Sequence, residues 1–144
     1  MVRKYELFIK ETSCSEYYMP ALTNAEAVAK FATEHLHLDM RDREHLITVA
    51  VDSKCNVIGY TTTSIGTLEA SLVHPREVMK FLILSNAAGG FLIHNHPSGN
   101  PEPSDEDIAV TKRMSEAFTL MGISLLDHVI VGKSLYTSMK ELGW

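Results

Sequence analysis

The chain has 144 residues, of which 45% are hydrophobic and 22% are charged, a composition typical of a globular protein. This length predicts a single compact domain that buries enough surface to fold without disulfide bonds or a structural metal ion. Lys and Arg number 13 against 18 Asp and Glu, so the net charge is −5. This balance argues against direct nucleic-acid binding, which depends on clustered basic residues that neutralise phosphates.

The cysteines and the apolar segments indicate the compartment. Cys14 and Cys55 show neither CxxC spacing nor the pattern of a disulfide framework, which fits a reducing environment. The first residues, MVRKYELFIKETS, contain no apolar stretch of signal-peptide length, and no segment approaches the length of a membrane span. We therefore expect a soluble, cytoplasmic protein that does not contact a membrane.

The N-terminal part carries one clear helix. Alternating residues over 5–10 permit an edge strand, and an exposed edge of this kind would make a homodimer reasonable. Thr23-Asn24-Ala25-Glu26 has the form of a capping box, and apolar residues at helical spacing follow it. The pattern predicts a helix over 24–37, and we assign residues 1–21 to an N-terminal extension and 22–144 to the domain.

The middle of the chain predicts a hairpin and a second helix. Leu46–Val51 and Val57–Thr62 are rich in β-branched residues and flank a polar turn, and a short strand is expected near Leu68–Val73. Pro75 occupies a position that favours the first turn of a helix, which is predicted to stop at Gly89-Gly90.

The C-terminal part alternates strand and helix. Phe91–Ile93 reads as a short buried strand, a helix is predicted from Ser104 to Gly122, and Leu125–Val131 is predicted as a last central strand. These elements together predict an α/β domain of the α+β type, in which helices flank a mixed, largely antiparallel sheet.

Residues 94–107, HNHPSGNPEPSDED, concentrate groups that can bind a metal ion. His94 and His96 project to the same face of a strand, and Pro97 keeps His96 extended. Asp107, in the first turn of the next helix, could add a carboxylate and leave a fourth zinc position open for water. Alternatively, Ser104 and Asp107 only cap a helix, and the two interpretations can coexist.

The spacing His94-x-His96, seven residues, Ser104, two residues, Asp107 resembles the JAMM (MPN+) metalloprotease signature at every fixed position. The segments HNHPSG, PSDED and LLDHVIVG are more narrowly similar to the RadC family, over roughly residues 22–144. The resemblance implies a JAMM/cytidine-deaminase-like sandwich. Long RadC-like chains carry an N-terminal helix-hairpin-helix region, and the residues that precede the first helix here are too few for it.

The resemblance also implies a reaction. It implies a Zn²⁺-dependent hydrolase of peptide or isopeptide bonds, with His94, His96 and Asp107 as metal ligands and a peptide or protein as substrate. The matching general acid/base is Glu44, which would activate a metal-bound water. Ser104 would donate a hydrogen bond to the developing oxyanion, provided that capping does not fully engage its hydroxyl group. His and Asp ligands also accept manganese, cobalt or iron.

Two further possibilities stay open from the sequence. Asp127 or His128, on the last central strand, could orient a metal ligand from outside the coordination sphere, or could be an ordinary polar step in a sheet. The protein could also be a non-catalytic metal-binding module of the RadC type, acting as a scaffold in DNA repair or in a mobile-element process. Retention of both Glu44 and Ser104 favours the enzyme.

Overall fold

The structure is a computed structural model that describes residues 1–6, 8–14, 19–67 and 73–144. The described ranges contain a five-stranded sheet and three α-helices, which confirms the predicted α+β class. In chain order the elements are α1 (Ala25–Lys30), β1 (His45–Val51), β2 (Val57–Ile65), α2 (Pro75–Leu84), β3 (Gly89–Asn95), α3 (Asp105–Met121), β4 (Ser124–Val131) and β5 (Tyr136–Ser138).

The strand order β2-β1-β3-β4-β5 places β1, β3 and β4 inside the sheet. Neighbouring strands are antiparallel except β3 and β4, which run parallel. A parallel pair needs a crossover connection, and α3 supplies it. The C-terminal end of β3 and the first turn of α3 therefore belong to one β–α–β unit, and the His-x-His motif spans the end of β3 and the start of the segment that joins them.

Both faces of the central strands are buried, which explains their nearly continuous apolar sequence. Leu46 pairs with His94 and Leu92 pairs with His128, so these four side chains share one face of the sheet. Helices α2 and α3 cover that face through a core that includes Leu82, Met114 and Phe118. Helix α1 covers the opposite face, where the core includes Val28, Ile47, Val49 and Ile93.

The first helix begins one residue later than the predicted capping box and changes its winding. Asn24 caps it, because its side-chain oxygen accepts a hydrogen bond from the Ala27 amide at 2.8 Å, and the expected cap at Thr23 is wrong. After Lys30 the chain continues as a wider π-helical turn over Phe31–His35. Of the predicted range of 24–37, residues 25–35 are therefore helical, but they do not form a uniform α-helix.

The predicted stop of α2 at Gly89-Gly90 is also wrong. The helix ends at Leu84, and the two glycines open strand β3. A Cβ atom at Gly90 would lie 2.9 Å from the Val49 carbonyl oxygen and 3.0 Å from Leu82 Cδ2. Glycine is needed here because a neighbouring strand and a helix both approach the backbone closely.

The edge strand permitted over residues 5–10 is not formed: the described residues 5, 6 and 8–10 are exposed and belong to no strand. The strand expected near Leu68–Val73 lies outside the described residues except for Val73, which is buried but not in a strand. In the described part of the chain, no helix combines the length and the apolar character needed to cross a membrane.

Candidate metal centre

The two histidines of the motif meet at the end of β3. His94 is fully buried inside the strand, and His96 follows the strand and is partly exposed. Their Nε2 atoms lie 3.1 Å apart. This convergence agrees with the expectation that residues at positions i and i+2 of an extended chain point to the same side.

Asp107 reaches the same point from the first turn of α3. Its Oδ1 atom lies 3.1 Å from His94 Nε2, and its Oδ2 atom lies 3.1 Å from His96 Nε2. Oδ2 also accepts a hydrogen bond from the Ser104 amide at 2.8 Å, and the Asp107 amide donates to Ser104 Oγ at 3.1 Å. The helix cap and the contact with both histidines therefore coexist in one carboxylate.

His94, His96 and Asp107 form a group that can hold a metal ion, with their ligand atoms within 4.8 Å of one another. These atoms are 3.1 Å apart. This is close to the distance of ~3.3 Å expected between two ligand atoms of a tetrahedral site whose metal–ligand distances are about 2.0 Å. His96 Nδ1 donates to the Asn100 carbonyl at 2.8 Å, so neutral His96 presents an unprotonated Nε2. The donor set of two imidazoles and a carboxylate suits a divalent cation.

Without a metal ion, the cluster is strongly polarised. Burial by itself would raise the pKa of the Asp107 carboxyl, but hydrogen bonds from His94 and His96 outweigh burial and hold the pKa well below its usual range. The hydrogen bond with Asp107 raises the pKa of His96 above its usual value, against the opposing effect of burial. Burial keeps the pKa of His128 well below its usual value, and His128 is therefore neutral near pH 7.

Glu44 lies immediately before β1 and is half-buried. Continuing the register of β1 and β3 by two residues would place Glu44 level with His96, and its charge contributes to the raised pKa of His96. The residues on either side of Glu44 are held by Asn95, whose Oδ1 accepts from the His45 amide at 2.8 Å and whose Nδ2 donates to the Arg43 carbonyl at 2.9 Å. Sequence reasoning missed Asn95, although it stands between the two histidines and points to the opposite face.

The Asp127-His128 pair divides between two roles. The Asp127 carboxylate accepts hydrogen bonds from the His128 amide, the Ser138 hydroxyl and the Lys140 amide, so it anchors the C-terminal turn. His128 is buried on the face of the sheet that carries His94, and its Nε2 lies 2.7 Å from His94 Nδ1. Of the pair, only the imidazole contacts the candidate centre.

Gly132 is a second residue that the sequence did not single out. It follows β4, and a Cβ atom there would overlap the Gly99 carbonyl and would lie 2.9 Å from Pro101 Cδ. The Lys133 amide donates to the Gly99 carbonyl at 2.9 Å, and the His96 amide donates to the Val131 carbonyl at 2.9 Å. The end of β4 thus seats the loop that follows His96, and only glycine leaves room for that contact.

Comparisons of the sequence with known proteins match this chain to a family. The model of the RadC-like JAB domain matches residues 22–144. A UPF0758 protein of Desulfitobacterium hafniense is 41% identical over 138 residues, which cover 96% of this chain and 60% of that protein. UPF0758 proteins of Methanococcoides burtonii (50% identical, covering 71% of this chain and 44% of theirs) and Thermotoga maritima (43% identical, covering 85% and 54%) are also similar. The chain thus spans at most about 60% of the length of these relatives.

Proposed function

The chain belongs to the RadC-like JAB domain family, and from this premise we propose that it is a Zn²⁺-dependent hydrolase of peptide or isopeptide bonds. The observation that supports the proposal best is the convergence of His94 Nε2, His96 Nε2 and the Asp107 carboxylate, with the Glu44 charge close enough to act on His96. The first three groups would hold the metal ion. A carboxylate beside them that is not one of the three ligands is the group that hydrolysis further requires.

Zn²⁺ held by these three ligands would supply Lewis acidity towards a carbonyl group and a water molecule. Glu44 would accept a proton from the water as its oxygen bonds to the carbonyl carbon. As the C–N bond breaks, the carboxyl group would return that proton to the leaving nitrogen, so water is added across the amide. Both steps need a carboxylate near the metal ligands, and half-buried Glu44, which immediately precedes β1 and would lie level with His96, fits that requirement.

Ser104 is suited to stabilise the oxyanion while it caps α3. A hydroxyl group offers one proton and two lone pairs. Capping uses one lone pair of Ser104 Oγ, which accepts from the Asp107 amide. The hydroxyl proton is not consumed by the cap, so it can be donated to the carbonyl oxygen on which negative charge develops.

The proposed substrate is a peptide or protein, and DNA is not proposed as a direct partner. The net charge of −5 gives the chain no general attraction for a polyanion. Direct DNA binding would be detected as retention of duplex DNA that weakens steeply with rising salt. A salt-dependent complex of that kind would contradict this assignment.

The test compares Glu44→Gln with Glu116→Gln, which changes an exposed glutamate of α3. Protein stripped with a chelator and reloaded with Zn²⁺ is assayed on a peptide library and on lysine-linked isopeptides, and bound zinc is measured in the same samples. Glu44→Gln should keep the zinc and lose about 10²–10⁴-fold in kcat/KM. Glu116→Gln should match the unaltered protein.

Two results would contradict the proposal. Equal turnover of Glu44→Gln and the unaltered protein would remove Glu44 from the reaction. Full zinc occupancy without cleavage of any substrate would leave the non-catalytic, metal-binding module as the better description.

A further inference from the structure

A chain of buried hydrogen bonds joins two of the metal ligands behind the centre. His94 Nδ1 lies 2.7 Å from His128 Nε2, and His128 Nδ1 lies 2.7 Å from Thr111 Oγ1. Thr111 Oγ1 in turn lies 2.7 Å from the carbonyl oxygen of Asp107. All four residues are almost completely buried, so water does not compete for these contacts.

The donor and the acceptor of each of these hydrogen bonds can be assigned by starting from Thr111. A carbonyl oxygen cannot donate, so the single hydroxyl proton of Thr111 lies between its Oγ1 and the Asp107 carbonyl. The hydroxyl oxygen must then accept at its other short contact, and the proton there belongs to His128 Nδ1. Neutral His128 carries one ring proton, so its Nε2 is an acceptor.

The direction of these hydrogen bonds determines which nitrogen of His94 carries a proton. Because His128 Nε2 accepts, His94 Nδ1 must carry the proton between them. In the neutral form that can bind a metal ion, His94 therefore has an unprotonated Nε2, the nitrogen that faces His96 and Asp107, and only the doubly protonated ring donates to Asp107 from that nitrogen. His96 obtains the same tautomer directly from a backbone carbonyl, whereas His94 has another imidazole as its partner and depends on a third residue to fix the direction.

We propose that His128 and Thr111 are positioning residues that fix the tautomer of His94, so that His94 Nε2 is presented to the metal ion as a lone pair. The inference rests on the metal centre of the proposed function and names two residues that support it. Hydrogen bonds from outside the coordination sphere typically change metal affinity by about 10–100-fold. We call this series of hydrogen bonds from His94 through His128 and Thr111 to Asp107 the relay. Because the relay ends on the Asp107 carbonyl, it also connects the orientation of His94 to the helix that carries Asp107.

The test uses Thr111→Val, which removes the hydroxyl group at nearly constant volume, and Thr111→Ser, which keeps it. Imidazole ¹⁵N NMR of the Zn²⁺-loaded unaltered protein should show a proton on His94 Nδ1 and zinc coordination through Nε2. Thr111→Val should lose about 10-fold in Zn²⁺ affinity, and Thr111→Ser should restore affinity to within about 3-fold of the unaltered protein. A melting curve of each metal-free variant checks that the fold is retained.

The inference is overturned if His94 Nδ1 carries no proton, or if Thr111→Val binds Zn²⁺ as tightly as the unaltered protein does. Absence of Zn²⁺ binding by the unaltered protein overturns it as well. None of these measurements uses a substrate. The protein could show a proton on His94 Nδ1 and weakened Zn²⁺ binding by Thr111→Val, yet hydrolyse no peptide. This result would support the positioning role of Thr111 and His128 and would contradict the proposed hydrolase.

Discussion

Replacing Asp107 with Asn should separate the two roles of this side chain. The amide oxygen of Asn can still accept the hydrogen bond from the Ser104 amide, so the cap of α3 is retained. The negative charge between His94 and His96 is lost, and with it the only anionic member of the metal-binding group within the described residues. We therefore expect a folded protein that binds Zn²⁺ poorly.

The expected size can be worked out from linkage. A ligand at 100 times its Kd stabilises the folded state by about 2.7 kcal/mol, which corresponds to a rise in Tm of about 5–11 °C for a domain of this size class. Loss of a direct anionic ligand should weaken affinity by at least ~100-fold, the upper end of the effect of outer hydrogen-bond partners. At the same Zn²⁺ concentration, Asp107→Asn would retain about 0.4 kcal/mol, or a shift of about 2 °C or less.

The assay is thermal unfolding with and without Zn²⁺, after removal of metal with a chelator. His37→Asn is the matched control, because His37 is an exposed histidine with a left-handed backbone conformation (φ 52°) that Asn tolerates. The control should show the full Zn²⁺ shift. A full shift in Asp107→Asn, or loss of the shift in His37→Asn, would refute the assignment of the ligands.

Three further outcomes can be measured. Ser104→Gly should cost only a few tenths of a kcal/mol as a helix cap, yet lower kcat about 10²–10³-fold with zinc retained; unchanged kcat would exclude an oxyanion role. Gly132→Ala should displace the loop at Gly99 and lower both unfolding free energy and Zn²⁺ affinity, and titration calorimetry with unchanged affinity would contradict this. In metal-free protein, His96, whose pKa is raised above its usual 6.5, stabilises the fold fully below that pH and less as pH rises through the raised pKa. The stability difference from His96→Gln in denaturant should therefore shrink from about pH 5 to about pH 9, and a constant difference would contradict the pairing with Asp107.

The parts of the fold that the sequence predicts well are those with local causes. Ser104 and Gly122 bound α3 as predicted, because a cap and a left-handed terminus (φ 68°) are encoded within a few residues. The convergence of His94 and His96 also follows from local alternation along the chain. The position of Asp107 beside them was predicted from the motif resemblance, since spacing alone does not determine where the loop between β3 and α3 leads.

The parts that were missed depend on partners distant in sequence. Gly90 has the sequence appearance of a helix stop, and only the packing of β1 and α2 against it shows why glycine is needed in the strand. Neither Asn95 nor Thr111 stands out in the sequence. Asn95 contacts Arg43 and Thr111 contacts His128, and a single sequence does not reveal these contacts. Local patterns thus predict the convergence of the two histidines, and tertiary contacts show which residues support the candidate ligands.

The division of the centre along the chain has a consequence for how the domain could change. The three candidate ligands and the hydrogen-bonded residues behind them all lie between the start of β3 and the end of β4, whereas Glu44 precedes β1, outside that unit. In the proposed mechanism, the residue that exchanges protons is therefore encoded apart from the residues that would bind the cation. A single substitution at Glu44 would then remove the proposed reaction and leave a folded protein that still binds the metal ion. A shared fold among relatives therefore does not guarantee a shared reaction.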